Sequence, residues 1–214
     1  MALSKVNFNS LNLTPTASKT VVFNSNNNGI EAGDVGGSMV LISEQTASSS
    51  STISFTSGID STYKEYIFKF IDIHPATDNQ NFTFQADTGT NTNYNQTVTN
   101  TFFYADHSEA DATNNVVYNS GRDQAQGTSF IQIAQEVGND NDQSCVGTLH
   151  LFDPSNTTFV KHFISRTNCY LSNNFTQDTY VAGYFNTTTA ITRVQFKFAS
   201  GNIDSGTIKM YGVV

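Results

Sequence analysis

The sequence predicts an all-β protein, an antiparallel β-sandwich of the jelly-roll type that is preceded by an extended N-terminal arm. Three observations predict this fold. The 214 residues include 17 Phe and 9 Tyr, and aromatic residues favour the pleated surface of strands. Apolar residues alternate with polar residues in many short runs, which is the two-residue period of a half-buried strand. Clusters of Gly, Asn, Asp and Ser separate these runs, as expected of turns between antiparallel strands.

Residues 1–37 differ in composition from the rest and are predicted to form an N-terminal arm. They contain one short apolar run, Val21-Val22-Phe23, which is too little apolar surface for a core. We therefore expect the arm to be disordered or to order by packing on another surface, with Val21, Val22 and Phe23 as the anchor. The Gly-rich residues 33–37 have the composition of a hinge between the arm and a body at residues 38–214.

The body begins a succession of short strand patterns. Apolar runs at 39–44, 102–105, 131–133, 149–151 and 159–170 predict strands, and the clearest alternations are Ile53/Phe55, Phe82/Phe84/Ala86, Val194/Phe196/Phe198 and Ile208/Met210. A jelly roll is favoured over an immunoglobulin-like sandwich because residues 38–214 exceed the ~100 residues of that domain. No convincing helical period occurs, and residues 123–126 are the one weak helical candidate.

Residues 63–73, YKEYIFKFIDI, form the longest aromatic and apolar run. Strand periodicity places Tyr66, Phe68 and Phe70 on one face and the isoleucines on the other. A strand that is apolar on both faces is buried on both or lies at an interface. The candidate subunit-interface residues are Tyr63, Ile67, Ile71 and Ile73.

Composition argues against several classes of partner. The chain has a net charge of −8, whereas nucleic-acid binding needs an excess of Lys and Arg, as does adsorption to anionic membranes. No stretch approaches the ~20 apolar residues of a membrane helix, so membrane insertion is not expected. Residues 1–13 lack the apolar core of a signal peptide, which predicts a protein made and kept in a cytoplasm.

No motif predicts catalysis, a cofactor or a metal. The densest polar cluster, residues 106–111, combines Asp106, His107 and Asp111, but a solvated loop explains it better than an acid–base or metal site. Glu136, Asp140 and Asp142 lack the full spacing of a calcium loop. A glycosidase needs two carboxylates across a cleft, and nothing in the sequence pairs them. The chain is therefore predicted not to be an enzyme.

Two residue types leave alternatives open. Cys145 and Cys169 lack the spacing of a zinc site, and buried reduced thiols are favoured over a disulfide. Several tyrosines are ligand-surface candidates, although packing inside the sandwich is the simpler interpretation of each one. These tyrosines are Tyr104, Tyr118, Tyr170, Tyr180 and Tyr184.

An ordered series of motifs resembles a domain of tailed bacteriophages of marine bacteria, a structural or tail-fibre-like domain. The series is 55–66 (FTSGIDSTYKEY), 68–78 (FKFIDIHPATD), 147–155 (GTLHLFDPS), 161–163 (KHF), 182–188 (AGYFNTT) and 201–212 (GNIDSGTIKMYG). The resemblance covers residues 38–214 and brings no catalytic motif with it.

The resemblance implies a virion component that is assembled in the host cytoplasm. It implies an oligomeric body, with a homotrimer expected, and an arm that binds other virion proteins. The leading hypothesis is a tail fibre or receptor-binding module that contacts a glycan or protein of the host surface. The alternatives are a capsid decoration or head-fibre protein and, from another class, a tailspike-like enzyme that degrades surface glycans.

Overall fold

A computed structural model describes residues 19–23, 30–34 and 38–214, and within them the predicted all-β fold is confirmed. The chain divides into two compact units, Met1–Ser38 and Met39–Val214. The first unit contains β1 (Lys19–Phe23) and β2 (Ile30–Asp34). The strands of the second are β3 (Met39–Thr46), β4 (Ile53–Phe55), β5 (Glu65–Pro75), β6 (Gln80–Thr88), β7 (Val98–Ser108), β8 (Asn114–Tyr118), β9 (Gln124–Gly127), β10 (Ile131–Val137), β11 (Cys145–Phe152), β12 (Lys161–Tyr170), β13 (Phe175–Phe185), β14 (Ile191–Phe198) and β15 (Ile203–Val213).

The N-terminal unit contains an antiparallel hairpin in which β1 pairs with β2 from Lys19↔Asp34 to Phe23↔Ile30. The anchor candidates lie on β1. Val21 and Phe23 alternate with Val22 and are exposed, whereas Val22 is half-buried. Of the predicted hinge at 33–37, residues 33 and 34 belong to β2, and residues 35–37 lie outside the described residues.

The second unit has the strand pairing of a jelly roll. Four pairs form as if one long hairpin were rolled up: β3 with β15, β4 with β14, β5 with β11, and β6 with β10. These strands are divided between two sheets, in the orders β3-β15-β5-β11 and β4-β14-β6-β10. Two packed antiparallel sheets of this kind are the double Greek key of a jelly roll, and the fold prediction is confirmed.

Two insertions widen one of the sheets. Strands β7 to β9 lie between β6 and β10 in the chain, and β12 and β13 lie between β11 and β14. All of them join the large sheet beyond β11, in the order β11-β12-β13-β7-β8, with β9 also paired to β7. The described body is thus a four-stranded sheet that faces a nine-stranded one. β9 covers residues 124–126 of the weak helical candidate, so that prediction was wrong. The nearby helical element is a single 3-10 turn, Ser120–Arg122.

Phenylalanine rings fill the space between the sheets. Phe196 of β14 contacts Phe68 and Phe70 of β5 at centroid distances of 5.4 and 5.3 Å, and therefore bridges the two layers. It also stacks on Phe82 and Phe84 of the neighbouring strand β6. All five side chains are buried. Within the described residues, no helix is long and apolar enough to cross a membrane.

A β-bulge in β5 changes the faces predicted for that strand. Asp72 has a φ of 52°, and the register with β11 and β15 shifts on either side of it. A bulge inserts one residue and so reverses the alternation beyond it. Ile73 consequently joins Phe68 and Phe70 in the core, fully buried. The prediction that Ile73 faces a subunit interface is wrong for this reason.

The other interface candidates lie in different environments. Tyr63 precedes β5 and packs half-buried against the core, with its ring 5.9 Å from that of Tyr66. Ile67 is nearly buried between its register partners His150 and Tyr211. Ile71 is 40% exposed. Of the four candidates, Ile71 alone offers a substantial apolar surface to a partner, and the subunit-interface role stays a prediction.

We expect Gly206→Ala to destabilise the protein by about 2 kcal/mol, because Gly206 faces the β5 bulge with a left-handed backbone. Its φ is +117°, and an added Cβ would lie 2.6 Å from the Asp72 carbonyl oxygen and 2.8 Å from the Ile73 Cα. Gly89→Ala is the matched control, since Gly89 has a φ of +57° with open space around it. Urea unfolding of both variants measures the difference, and equal losses would contradict the steric explanation.

Candidate functional site

The side of the large sheet that points away from the core is called here the outer face, and its part on β7, β11, β12 and β13 is the candidate site. Along β12 the burial alternates strictly: Phe163 and Ser165 are buried, whereas His162, Ile164 and Arg166 are exposed. The last three side chains therefore stand on the outer face. Cross-strand pairing continues this surface onto the neighbouring strands.

One row of side chains crosses the outer face and forms a ridge. Phe103, Tyr180 and Arg166 are register neighbours on β7, β13 and β12. The rings of Phe103 and Tyr180 stack with a centroid distance of 4.9 Å and an interplanar angle of 3°. The Arg166 guanidinium lies 5.0 Å from the centroid of the Tyr180 ring, a cation–π distance. Three flat groups thus stand side by side on the sheet.

Asp178 fixes the Arg166 end of the ridge. Arg166 donates from Nε to Asp178 Oδ1 at 3.0 Å and from Nη2 to Oδ2 at 2.7 Å, a bidentate pair. The Tyr180 hydroxyl donates to Asp178 Oδ2 at 3.0 Å. These bonds, that from Arg166 above all, hold the pKa of Asp178 below its ordinary value. The ridge is therefore preorganised by its own charges.

Three open depressions lie along the outer face on both sides of this ridge. The first has a volume of about 510 Å³. It is lined by the small residue Ala182 and by residues that include Thr99, Thr101, His162, Ile164 and Tyr184. The second, of about 340 Å³, lies among Val146, Thr148, Arg166, Asn168 and Asp178. The third, of about 410 Å³, lies among His107, Asn168, Tyr170 and Thr176. Asn168 borders both the second and the third, so these two depressions are adjacent.

The tyrosine candidates fall into two groups. Tyr104 is half-buried and packs against the core, as the packing interpretation predicts. Tyr180, Tyr184 and Tyr118 lie on the outer face, where Tyr118 is 60% exposed, and for these the packing interpretation was wrong. Tyr170 borders the third depression. The register between β7, β12 and β13, which is not local in sequence, brings Tyr180 and Tyr184 together with residues that sequence reasoning missed: Phe103, Ile164, Arg166 and Asp178.

The polar clusters considered for catalysis or metal binding lie in turns and at the ends of strands. Residues 106–111 form the end of β7 and the turn into β8, with Ser108 Oγ accepting the backbone N–H groups of Ala112 and Thr113. His107 and Asp111 lie 3.2 Å apart at the exposed end of this hairpin. Asp140 and Asp142 lie between β10 and β11, and Glu136 lies within β10. Among the residues that the structure describes, His, Cys, Asp and Glu side chains form no group of three or more able to hold a metal ion.

The comparisons with known proteins find no matching family model, no similar curated protein and no similar solved structure.

Replacing Asp178 by Asn should make the folding stability less dependent on pH in the acid range. The pKa of Asp178 is lowered in the folded protein, so its ionised form contributes stability above the ordinary pKa of about 3.9, and this contribution is lost as pH falls through the folded value. We expect the wild type to be more stable than Asp178→Asn at pH 7 and the difference to vanish in acid. Thermal unfolding between pH 2 and pH 7 measures this, with Asp140→Asn at an exposed turn as the charge-matched control. A difference that is constant across this range would contradict the prediction.

Proposed function

We propose that this chain is a non-catalytic recognition module of a phage particle, most closely a tail fibre or receptor-binding module. The observation that carries the proposal is the outer face, which combines a rigid aromatic ridge with open polar depressions. Rigid aromatic anchors with adaptable hydroxyl and amide neighbours are typical of protein surfaces that recognise a ligand. The jelly roll supports the proposal at the level of fold, since viral capsid and lectin domains use it.

The N-terminal unit supports an anchoring role in this proposal. Val21 and Phe23 are exposed on the same side of β1, and Phe23 is 76% exposed. Two large apolar side chains on so small a hairpin fit a surface that another virion protein covers. The proposal also includes a homotrimeric body, for which Ile71 is the exposed apolar candidate at the interface.

Gold-labelled antibodies against this protein, applied to purified phage particles, test the proposal. We expect label on the tail and inhibition of adsorption to host cells by the purified full-length protein. Label confined to the head would instead identify a capsid decoration or head-fibre protein. Release of reducing ends or unsaturated sugars from host polysaccharide would show a tailspike-like enzyme and would overturn the non-catalytic assignment.

A further inference from the structure

We infer that the outer face binds a neutral glycan, with the ridge of Phe103, Tyr180 and Arg166 as its stacking and hydrogen-bonding centre. The inference rests on the proposed function and names the chemical class of its receptor. Sugars present both an apolar C–H face and a rim of hydroxyls. The ridge offers a matching surface for each. The stacked rings of Phe103, which is 42% exposed, and Tyr180 can contact the C–H face, and the neighbouring guanidinium of Arg166 can bind hydroxyls.

The hydrogen-bonding capacity of the ridge suits hydroxyl groups. A guanidinium has five N–H donors, and Asp178 accepts from two of the nitrogen atoms of Arg166, Nε and Nη2. Two of the five N–H groups are thus directed at Asp178, and further donors of Arg166 remain for a ligand. Thr99 and Thr101 beside the first depression and Thr148 and Asn168 beside the second supply uncharged donors and acceptors.

The electric charge of the face favours a neutral rather than an acidic glycan. Arg166 is paired with Asp178, His150 lies 2.6 Å from Glu65, and Lys209 lies 3.1 Å from Glu44. These three side chains therefore already have carboxylate partners, Lys69 lies 5.5 Å from the centroid of the Tyr211 ring, and the whole chain carries a net charge of −8. An acidic polysaccharide would be repelled by this field.

The layout of the face suits a polymer rather than a single sugar. The first depression contains Ala182 and the third contains Thr176, six positions apart on β13. At about 3.3 Å per residue this is roughly 20 Å along the strand, with the ridge between them. A chain of several sugars would lie in the depressions and cross the ridge, where the rings would stack on it.

A second copy of the protein is the competing occupant, and the pattern of the face disfavours it. Ile164, which is 52% exposed, has His162 and Arg166 as its neighbours on the same side of β12. Phe103 likewise has Thr101 and Ala105 as its neighbours on the same side of β7. The exposed apolar side chains are thus interrupted by polar and small ones, whereas interfaces between identical subunits have more apolar cores.

Affinity electrophoresis of the full-length protein tests the inference, with gels that contain dextran, galactomannan, a mixed-linkage β-glucan or, for comparison, the acidic polysaccharide alginate. We expect at least one neutral polysaccharide to retard the protein. Phe103→Ala and Tyr180→Ala should each weaken that binding roughly 30-fold, as expected for an aromatic hot spot. Ala182→Phe should also weaken it by filling the first depression. The control, Phe159→Ala, removes a ring that is 68% exposed in the loop after β11 and should bind like the wild type.

Three results would overturn the inference: no retardation by any neutral polysaccharide, retardation by alginate alone, or equal binding by Phe103→Ala and Phe159→Ala. A change of oligomeric state in Phe103→Ala, measured by mass photometry, would assign the face to a second copy.

Binding of labelled protein to host cells separates this inference from the proposed function. Binding lost after periodate oxidation of cell-surface sugars supports the glycan. Binding that survives periodate and is lost after protease treatment keeps a receptor-binding function but excludes the glycan, and absence of binding to untreated cells counts against both.

Discussion

Phe196→Ala should lower the free energy of unfolding by about 3–5 kcal/mol, the range for removal of a fully buried Phe. Phe196 is one of the rings that join the two sheets, and it contacts rings of both. It lies 5.3 Å from Phe70 and 5.4 Å from Phe68 of the large sheet, and 6.3 Å from Phe55 of the small sheet. Its truncation removes several edge-to-face and stacked pairs and leaves a cavity that rings on both sheets would line. Because aromatic pairs add to the burial of apolar area, the upper part of the range is expected.

Chemical denaturation followed by far-UV circular dichroism or tyrosine fluorescence measures this loss, since the chain contains no Trp. For a protein of this size the midpoint of thermal unfolding should fall by roughly 6–20 °C. Phe196→Leu should lose less, because Leu fills part of the cavity. Phe159→Ala, at an exposed position, should change stability by less than about 0.5 kcal/mol. A loss for Phe196→Ala no larger than for Phe159→Ala would mean that the sheets do not meet at Phe196.

The fold could be predicted because its signal is local. The alternation of Val194, Phe196 and Phe198 with polar residues defines β14 and its buried face without knowledge of any partner strand. The change of face at Ile73 could not be predicted in the same way. It depends on the bulge at Asp72, and an Asp inside a strand pattern does not by itself mark a bulge, although Asp is less common in strands. A single inserted residue reverses every subsequent side chain, so a strict two-residue period misplaces Ile73.

The candidate site was predictable only in part, because it depends on registers between strands that are distant in the chain. Phe103 meets Tyr180 and Tyr180 meets Arg166 through pairings that span many residues, and no local pattern contains them. One local signal was present. The consecutive aromatic residues Phe102, Phe103 and Tyr104 in one strand require that at least one ring faces away from the core. That ring is Phe103, and it marks the outer face as aromatic.

Oxidation of Cys145 and Cys169 to a disulfide should stabilise the protein by about 3 kcal/mol. The two residues are direct register partners on β11 and β12, 24 positions apart in the chain. The adjacent pair Ser144 and Tyr170 is hydrogen-bonded through the Tyr170 N–H, so the cysteines occupy a non-hydrogen-bonded position. Such positions bring Cα atoms to about 4.5 Å, within the range that a disulfide accepts. The thiols are free and buried, and their sulfur atoms lie 2.7 Å apart.

The same burial should make this oxidation slow in the folded protein. Desolvation, followed by the contact with Cys145, raises the pKa of the Cys169 thiol well above its ordinary value. Since the thiolate is the reactive form, exchange with a small disulfide requires opening of the strand pair. When the disulfide forms, the two cysteine thiols together lose two protons and two electrons, and one molecule of oxidised glutathione takes them up to give two molecules of reduced glutathione. Refolding with oxidised glutathione should therefore close the bond, whereas incubation of the folded protein should close it slowly.

Thiol titration in denaturant and unfolding with and without reductant measure both effects. We expect two titratable thiols before oxidation and none after it, with a higher unfolding midpoint that reductant reverses. Cys145→Ser cannot form the intramolecular disulfide, so we expect neither the paired loss of two thiols nor the gain in stability. An oxidised form less stable than the reduced form would mean that the bond strains the β11–β12 pair. Because this pair also supports Arg166 and Asn168 on the outer face, such strain should weaken any ligand binding there at the same time.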